Sequence, residues 1–374
     1  MPTTSRRSGT EELLGLSPDA LSEELNGFFA RLGEPRYRSD QVERAIYGAG
    51  VRRFDEISTL PAALREELAG SYSLTPLEPA FEARSRDGTV KHLWKLSDGE
   101  QIESVLIPTR ERLTLCLSSQ SGCALGCLFC ATGYLGLRRQ LRSAEIVAQY
   151  AHSARFARSE WDRKITNVVY MGMGEPLANP GAVFASLDIL HRGFGLGARR
   201  LTVSTVGLVP GILELARRPE PFELAVSLHA PVHELRARLM PIEKRYPLPA
   251  LVEALRTYQR HKRRRVSLEY TLIEGINDLP ELAESLAGLL DGLLCFVNLI
   301  PFNPIPDRPD WVPSPPHRVA AFARALERHG VAAAVRRPRG RDIAAACGQL
   351  RLARLAAGST EAAGAERGGP STGL

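Results

Sequence analysis

Apolar residues recur at two different spacings along this chain, and the change of spacing divides it. From Glu11 to Leu32, the residues Leu13, Leu14, Leu21, Leu25, Phe28, Phe29 and Leu32 fall at near-helical intervals, which predicts amphipathic helix. Ser39 to Tyr47 and Ala62 to Leu68 continue the pattern, with Gly33 to Pro35 and Pro61 as punctuation. Between about Ala80 and Pro108 the period drops to two, in Thr89 to Leu96 and Ile102 to Ile107. That alternation predicts a β-hairpin turning at Asp98-Gly99.

From Glu111 onward short apolar runs alternate with longer helical ones. Strands are expected at Leu113 to Leu117, Ile165 to Met171, Leu201 to Ser204, Leu224 to Leu228, Val266 to Leu272 and Phe296 to Ile300, with a short one at Ala332 to Val335. Helices are expected between them, at Ala144 to Phe156, Ala182 to Leu190, Leu251 to Tyr258, Leu282 to Leu290 and His317 to Arg328. Repeated strand-helix units predict a parallel sheet. The fold class is therefore α/β, an incomplete TIM-type barrel of about six strand-helix units with a small N-terminal helical accessory domain. The expected divisions are 1–82 for that domain, 83–108 for a connecting hairpin, 109–350 for the core and 351–374 for a tail rich in Gly, Ala, Ser and Thr. In such a barrel the site lies at the C-terminal ends of the strands.

With 374 residues, 44% of them hydrophobic, the chain can bury a large core. Its net charge of +6 is only modestly basic, but the charge is clustered: Arg138, Arg139 and Arg142; Arg260 to Arg265; and Arg336, Arg337, Arg339 and Arg341. Several such runs around one core point to an acidic partner such as RNA. No apolar leader opens the chain and no stretch is long enough to span a membrane, so a reducing cytoplasmic location is expected.

Three of the six cysteines set the chemistry. Cys123, Cys127 and Cys130 form a C-x3-C-x2-C loop with Phe129 before the last thiol. Ordinary ferredoxin clusters take four thiolates, so three on one loop predict an iron-sulfur cluster with one iron open to a small ligand. Structural zinc would need a fourth Cys or His, which the loop lacks. Further on, Gly172-Met173-Gly174-Glu175 follows a strand, where glycines let the backbone approach a ligand and Glu175 can accept from an ammonium group. Ser204, Ser227, Leu228, His229 and Asn303 also follow apolar strands. Taken singly, each serine fits a helix N-cap and His229 a structural histidine. Cys116 and Cys347 lie outside the metal spacing, Cys347 beside an arginine-rich stretch that can lower a thiol pKa.

Together these segments resemble the RlmN/Cfr family of radical S-adenosylmethionine (SAM) RNA methyltransferases. The resemblance rests on Thr114-Leu115-Cys116, the cysteine loop, Gly172 to Leu177, Ser227-Leu228-His229-Ala230 and Ala346-Cys347-Gly348-Gln349-Leu350, and spans about residues 85 to 350. It implies a 4Fe-4S cluster on Cys123, Cys127 and Cys130, with SAM held by Gly174, Glu175, Ser204, Ser227, Leu228, His229 and Asn303. It further implies Cys347 as an S-methylcysteine intermediate, Cys116 as the resolving thiol and Glu103 as proton acceptor. The implied partners are 23S rRNA, tRNA and an electron donor such as flavodoxin, with methylation at adenine C2. A C8-methylating enzyme of the Cfr branch, a radical SAM enzyme with a non-RNA substrate, and a non-catalytic RNA binder with a structural metal are the alternatives. Glu243 departs from the family pattern, which commonly shows Asn there. So does Tyr134 to Gln140.

Overall fold

The computed structural model describes residues 11–74 and 77–350; the expected tail at 351–374 lies outside the described residues. Three antiparallel strands, β1 (Leu77–Arg84), β2 (Val90–Leu96) and β3 (Gln101–Pro108), lead into seven parallel ones. These are β4 (Leu113–Cys116), β5 (Asn167–Tyr170), β6 (Leu201–Thr205), β7 (Glu223–Ser227), β8 (Val266–Leu272), β9 (Cys295–Pro301) and β10 (Ala333–Val335). All ten join one sheet in strict chain order, β10 at one edge and β1 at the other.

Strand β3 pairs with β4 antiparallel, Val105 opposite Cys116, and every later pair is parallel. Helices Ser143–Trp161, Pro180–Asp188, Val209–Arg217, Leu248–Lys262, Pro280–Leu289 and Pro316–Arg328 fill the crossovers. The parallel strands are apolar because both faces are covered: Val168, Val203, Val226, Leu268 and Val297 are fully or almost fully buried.

Every expected strand is present within two residues of its predicted bounds. The antiparallel region contains one strand more than a hairpin, because β1 carries no alternation: only Leu77 and Ala83 of its eight residues are buried. Pro79 sits in it beside a register shift, as proline does on edge strands. Helix Val209–Arg217 is not among the expected helices. Pro210 starts it.

The N-terminal unit packs Leu21, Leu25, Phe28 and Phe29 of helix Pro18–Arg31 into its own core. It is joined to the barrel by Ser143, whose hydroxyl donates to Gly15 O at 3.0 Å, and by Arg192, 2.7 Å from Asp19. Among the described residues no helix is long and apolar enough to cross a membrane.

Candidate active site

The C-terminal ends of the parallel strands surround a cavity of about 970 Å³, mouth included, onto which Cys123, Cys127 and Cys130 all open. The thiols are unpaired. Burial raises Cys123 to about 12 and Cys127 well above its ordinary value. Thiols so placed become thiolates only when a bound cation offsets the charge. Among the described residues no three His, Cys, Asp or Glu side chains gather tightly enough for one ion. Three sulfur donors facing one cavity fit a 4Fe-4S cluster.

The turn after β5 is shaped by close approach. A Cβ on Gly172 would sit 2.6 Å from Leu117 O, and one on Gly174, at φ 97°, would sit 2.5 Å from the Gln120 side chain. Both positions therefore exclude side chains. The turn delivers Glu175, 3% exposed, to the cavity wall. Its Oε1 accepts from Leu177 N at 3.0 Å and its Oε2 from Val206 N at 2.9 Å. Burial pushes its carboxyl up to about 7 despite those donors. A carboxylate in that state gains from a cationic ligand.

Ser204, Ser227, His229 and Asn303 line the same cavity. His229 adopts φ 57°, a rare conformation for a residue with a side chain. Its Nδ1 accepts from Thr271 N at 2.8 Å, which puts the ring proton on Nε2. Burial holds the imidazole neutral, its pKa down at about 3, and it stacks edge-on against Phe129 at 4.3 Å between centroids. Asn303 donates to Cys347 O at 3.1 Å and accepts from Arg341 Nε at 2.8 Å. Leu228 stands apart: its side chain is in the core, its N–H donates to Glu269 O at 3.0 Å, and its carbonyl accepts from Arg236 at 3.1 Å.

Cys347 is exposed and Cys116 buried, yet both open onto a second cavity beside Cys130. Burial, then the neighbouring Cys347, raises the Cys116 thiol to about 12. The segment bearing Cys347 lies directly on the cysteine loop, since a Cβ on Gly348 would be 2.9 Å from Phe129 O. Glu103 lines neither cavity. It is 1% exposed, so it is not a solvent-facing strand residue, and its Oε1 lies 2.9 Å from Lys91 Nζ. The β2-β3-β4 register sets Lys91, Glu103 and Cys116 on one sheet face.

Two lining residues, Arg336 and Glu269, have no site role in the sequence reading, where Arg336 is only part of a basic run. Arg336 reaches both cavities and lies 3.4 Å from Glu269 Oε2, and Asn298 donates to the other oxygen of Glu269 at 2.8 Å. A lone carboxylate inside the apolar run Val266 to Leu272 was the available signal. The run Arg260 to Arg265 is not at the site. It connects helix Leu248–Lys262 to the N-terminal end of β8, roughly 20 Å from the cavity end by strand rise. Arg260 pairs with Glu253 at 2.9 Å, Arg264 with Glu223, and Arg265 lies over the Phe296 ring at 4.8 Å.

Comparison with known proteins fits this geometry. The Radical SAM superfamily matches residues 117–286, and the ribosomal RNA large subunit methyltransferase N-terminal domain matches residues 12–74. The chain is 48% identical to the probable dual-specificity RNA methyltransferase RlmN of Gemmatimonas aurantiaca, over 92% of this chain and 94% of that protein. The chain belongs to the RlmN family. The RlmN of Syntrophobacter fumaroxidans is 46% identical over 87% of this chain and 95% of its own length. A radical SAM methyltransferase from Sphaerobacter thermophilus superposes with a TM-score of 0.87 at 47% identity, covering 91% of this chain and 99% of that one. RlmN-family chemistry uses a 4Fe-4S cluster and SAM, and the three-cysteine cavity is where this chain would hold them.

Proposed function

We propose that this chain methylates C2 of adenine in 23S rRNA and, beside the anticodon, in tRNA, with Cys347 as the methyl carrier. One observation carries the reading: Cys116 and Cys347, 231 residues apart, open onto one cavity beside a cluster cysteine. Adenine C2 is electron-poor and offers no lone pair to a polar methyl donor, so the carbon must arrive as a radical. Cys123, Cys127 and Cys130 would hold the cluster, which would supply the electron, while one SAM would supply the methyl group and a second the hydrogen-abstracting species.

The remaining roles fall to side chains. Glu175 receives the SAM ammonium group, while Ser204, Ser227, His229 through Nε2, Asn303 and the Leu228 segment line or support the rest of SAM. Cys347 takes a methyl group as a thiolate and holds it as a thioether. Once its carbon is joined to C2, Cys347 tethers the base. The adduct radical then gives up one electron, which the cluster would take back, together with its C2 proton; Glu103, the acceptor the resemblance implies, lines neither cavity and stands beside the Lys91 ammonium, so the proton would reach it only by relay. Cys116 then attacks the Cys347 sulfur: an S–S bond forms, the C–S bond breaks, and its electron pair stays on the carbon, which takes up a proton to become methyl.

A flavodoxin-type donor would supply the electron, and a reducing cytoplasm would return both cysteines to thiols. Arg337 and Arg339 line the second cavity, Arg339 also donating to Asp87 O at 3.3 Å, and are suited to phosphates, helping offset the few kcal/mol needed to unstack an adenine. The test is base-position mass analysis of unmodified 23S rRNA and tRNA incubated with reconstituted protein and labelled SAM. 2-Methyladenine is expected in both RNAs. 8-Methyladenine would assign the chain to C8 chemistry, and unlabelled RNA with SAM consumed would point to another substrate.

A further inference from the structure

Arg236 and Glu243 are both completely buried, with Arg236 Nη1 2.5 Å from Glu243 Oε2. Neither lines the cavity. An unpaired guanidinium in this position would be strongly destabilising, and Glu243 is its counter-charge. The carboxylate is itself held in place: Oε1 accepts from Leu248 N and from His233 Nδ1, both at 2.9 Å.

The other donors of Arg236 go to backbone. Nε donates to Leu228 O at 3.1 Å and Nη2 to Val206 O at 2.7 Å. These carbonyls lie just beyond the ends of β7 and β6, where the chain turns into the cavity wall. The N–H of Val206 donates to Glu175 Oε2 at 2.9 Å. A continuous line of hydrogen bonds thus runs from Glu243 through Arg236 and the Val206 N–H and carbonyl to Glu175.

We propose that Glu243 and Arg236 form a positioning pair for SAM: Glu243 fixes Arg236, Arg236 fixes the backbone at Val206, and that backbone holds the Glu175 carboxylate where it meets the ammonium group. The proposal rests on the reading of the cavity as the SAM site with Glu175 at its cationic end. It gives a task to the carboxylate that departs from the family pattern. An Asn there could accept from Arg236 but would leave its charge uncompensated.

The experiment is equilibrium dialysis of labelled SAM against the full-length, cluster-reconstituted chain, with iron per chain measured in each sample. Glu243→Gln keeps the shape and removes the charge; SAM affinity should fall by about ten-fold, as for loss of a hydrogen bond to a charged group. Iron per chain should hold, Glu243→Asp should recover part of the loss, and KM for SAM should change more than kcat. Glu253→Gln, on the exposed side of helix Leu248–Lys262, should bind as wild type. Should Glu243→Gln fail to fold, the double variant Arg236→Met with Glu243→Leu removes both charges, a change that cores often tolerate, and should show the same weakening. Wild-type affinity in either folded variant overturns the positioning pair while leaving the SAM site intact. Failure of the wild-type protein itself to bind SAM overturns the cavity reading.

Discussion

The hydroxyl of Thr132 donates to the carbonyl of Leu350 at 2.7 Å, across 218 residues of sequence. Beside it, Ala131 N–H donates to Gly348 O, also at 2.7 Å. The segment carrying Cys347 is therefore fastened to the short helix Ala131–Tyr134, which begins immediately after the third cluster cysteine. The thiol of Cys347, the proposed methyl carrier, is thereby tied to the cysteine loop.

Gly348 is where that fastening should be most sensitive. At φ 83° and with Phe129 O in the way of any Cβ, Gly348→Ala should cost about 1–3 kcal/mol of local strain. The expected outcome is lower methyl occupancy of Cys347, read by peptide mass spectrometry, with iron content unchanged. Normal occupancy would show that the segment can relax without disturbing the thiol.

The two lone cysteines should fail differently. Cys347→Ala should abolish methylation and form no protein-RNA adduct, since nothing carries the carbon. Cys116→Ala should instead accumulate an adduct between Cys347 and adenine, because the resolving thiol is missing. Denaturing gels of labelled RNA followed by peptide mass spectrometry distinguish them. Normal turnover by Cys116→Ala would sink the methylcysteine mechanism.

Glu175 sets a pH dependence. Its carboxyl is raised from 4.5 to about 7 by burial, so below about pH 7 it is largely protonated and must release that proton to receive an ammonium group. SAM affinity should rise from about pH 6 to about pH 8 and should lose this dependence in Glu175→Gln. Folding stability has the opposite sign: a carboxyl that holds its proton more tightly when folded gives a contribution that falls as pH rises between 4.5 and about 7. Titration calorimetry and melting curves across the range check both slopes.

The arginine runs separate by position. Reversing Arg263, Arg264 and Arg265 to Glu should leave RNA affinity unchanged, because that run is at the far end of β8. Reversing Arg337 and Arg339 should weaken binding and lower the salt slope by about one for each phosphate that is no longer neutralised. Filter binding over a salt series reads both, and a large effect from the first run would mean that RNA wraps the barrel.

Much of the site was legible because its residues follow apolar strands, where a parallel barrel puts its chemistry. The cysteine loop, the Gly174-Glu175 turn, Ser204, Ser227, His229 and Asn303 all reach one cavity. Partnership was not legible. Arg139 pairs with Glu145 at 2.8 Å and Arg142 with Glu12 at 2.9 Å, so a run that looks like a binding surface is partly structural. Lys91 and Glu103 are charged residues of alternating strands, yet both are buried, and Lys91 Nζ donates to Ala344 O of the segment that crosses from the far edge. Alternation describes a strand's two faces but cannot say what a distant segment will cover.

The sheet is open, with β1 and β10 at opposite edges, yet the chain leaving β10 crosses back to the first hairpin. Gly340 N donates to Asp87 Oδ2 at 3.0 Å, Asp342 accepts from Ser85 Oγ at 2.6 Å, and Lys91 Nζ donates to Ala344 O at 3.2 Å. Residues 336–344 thus act as a buckle between the flanks of an unclosed ring, and Cys347 hangs from the buckle's end. Spreading of the flanks, whether by a docking RNA or by a loosened core, would pull on the same strap that sets how far the sulfur stands from the metal loop. Gap width and thiol depth become one mechanical coordinate.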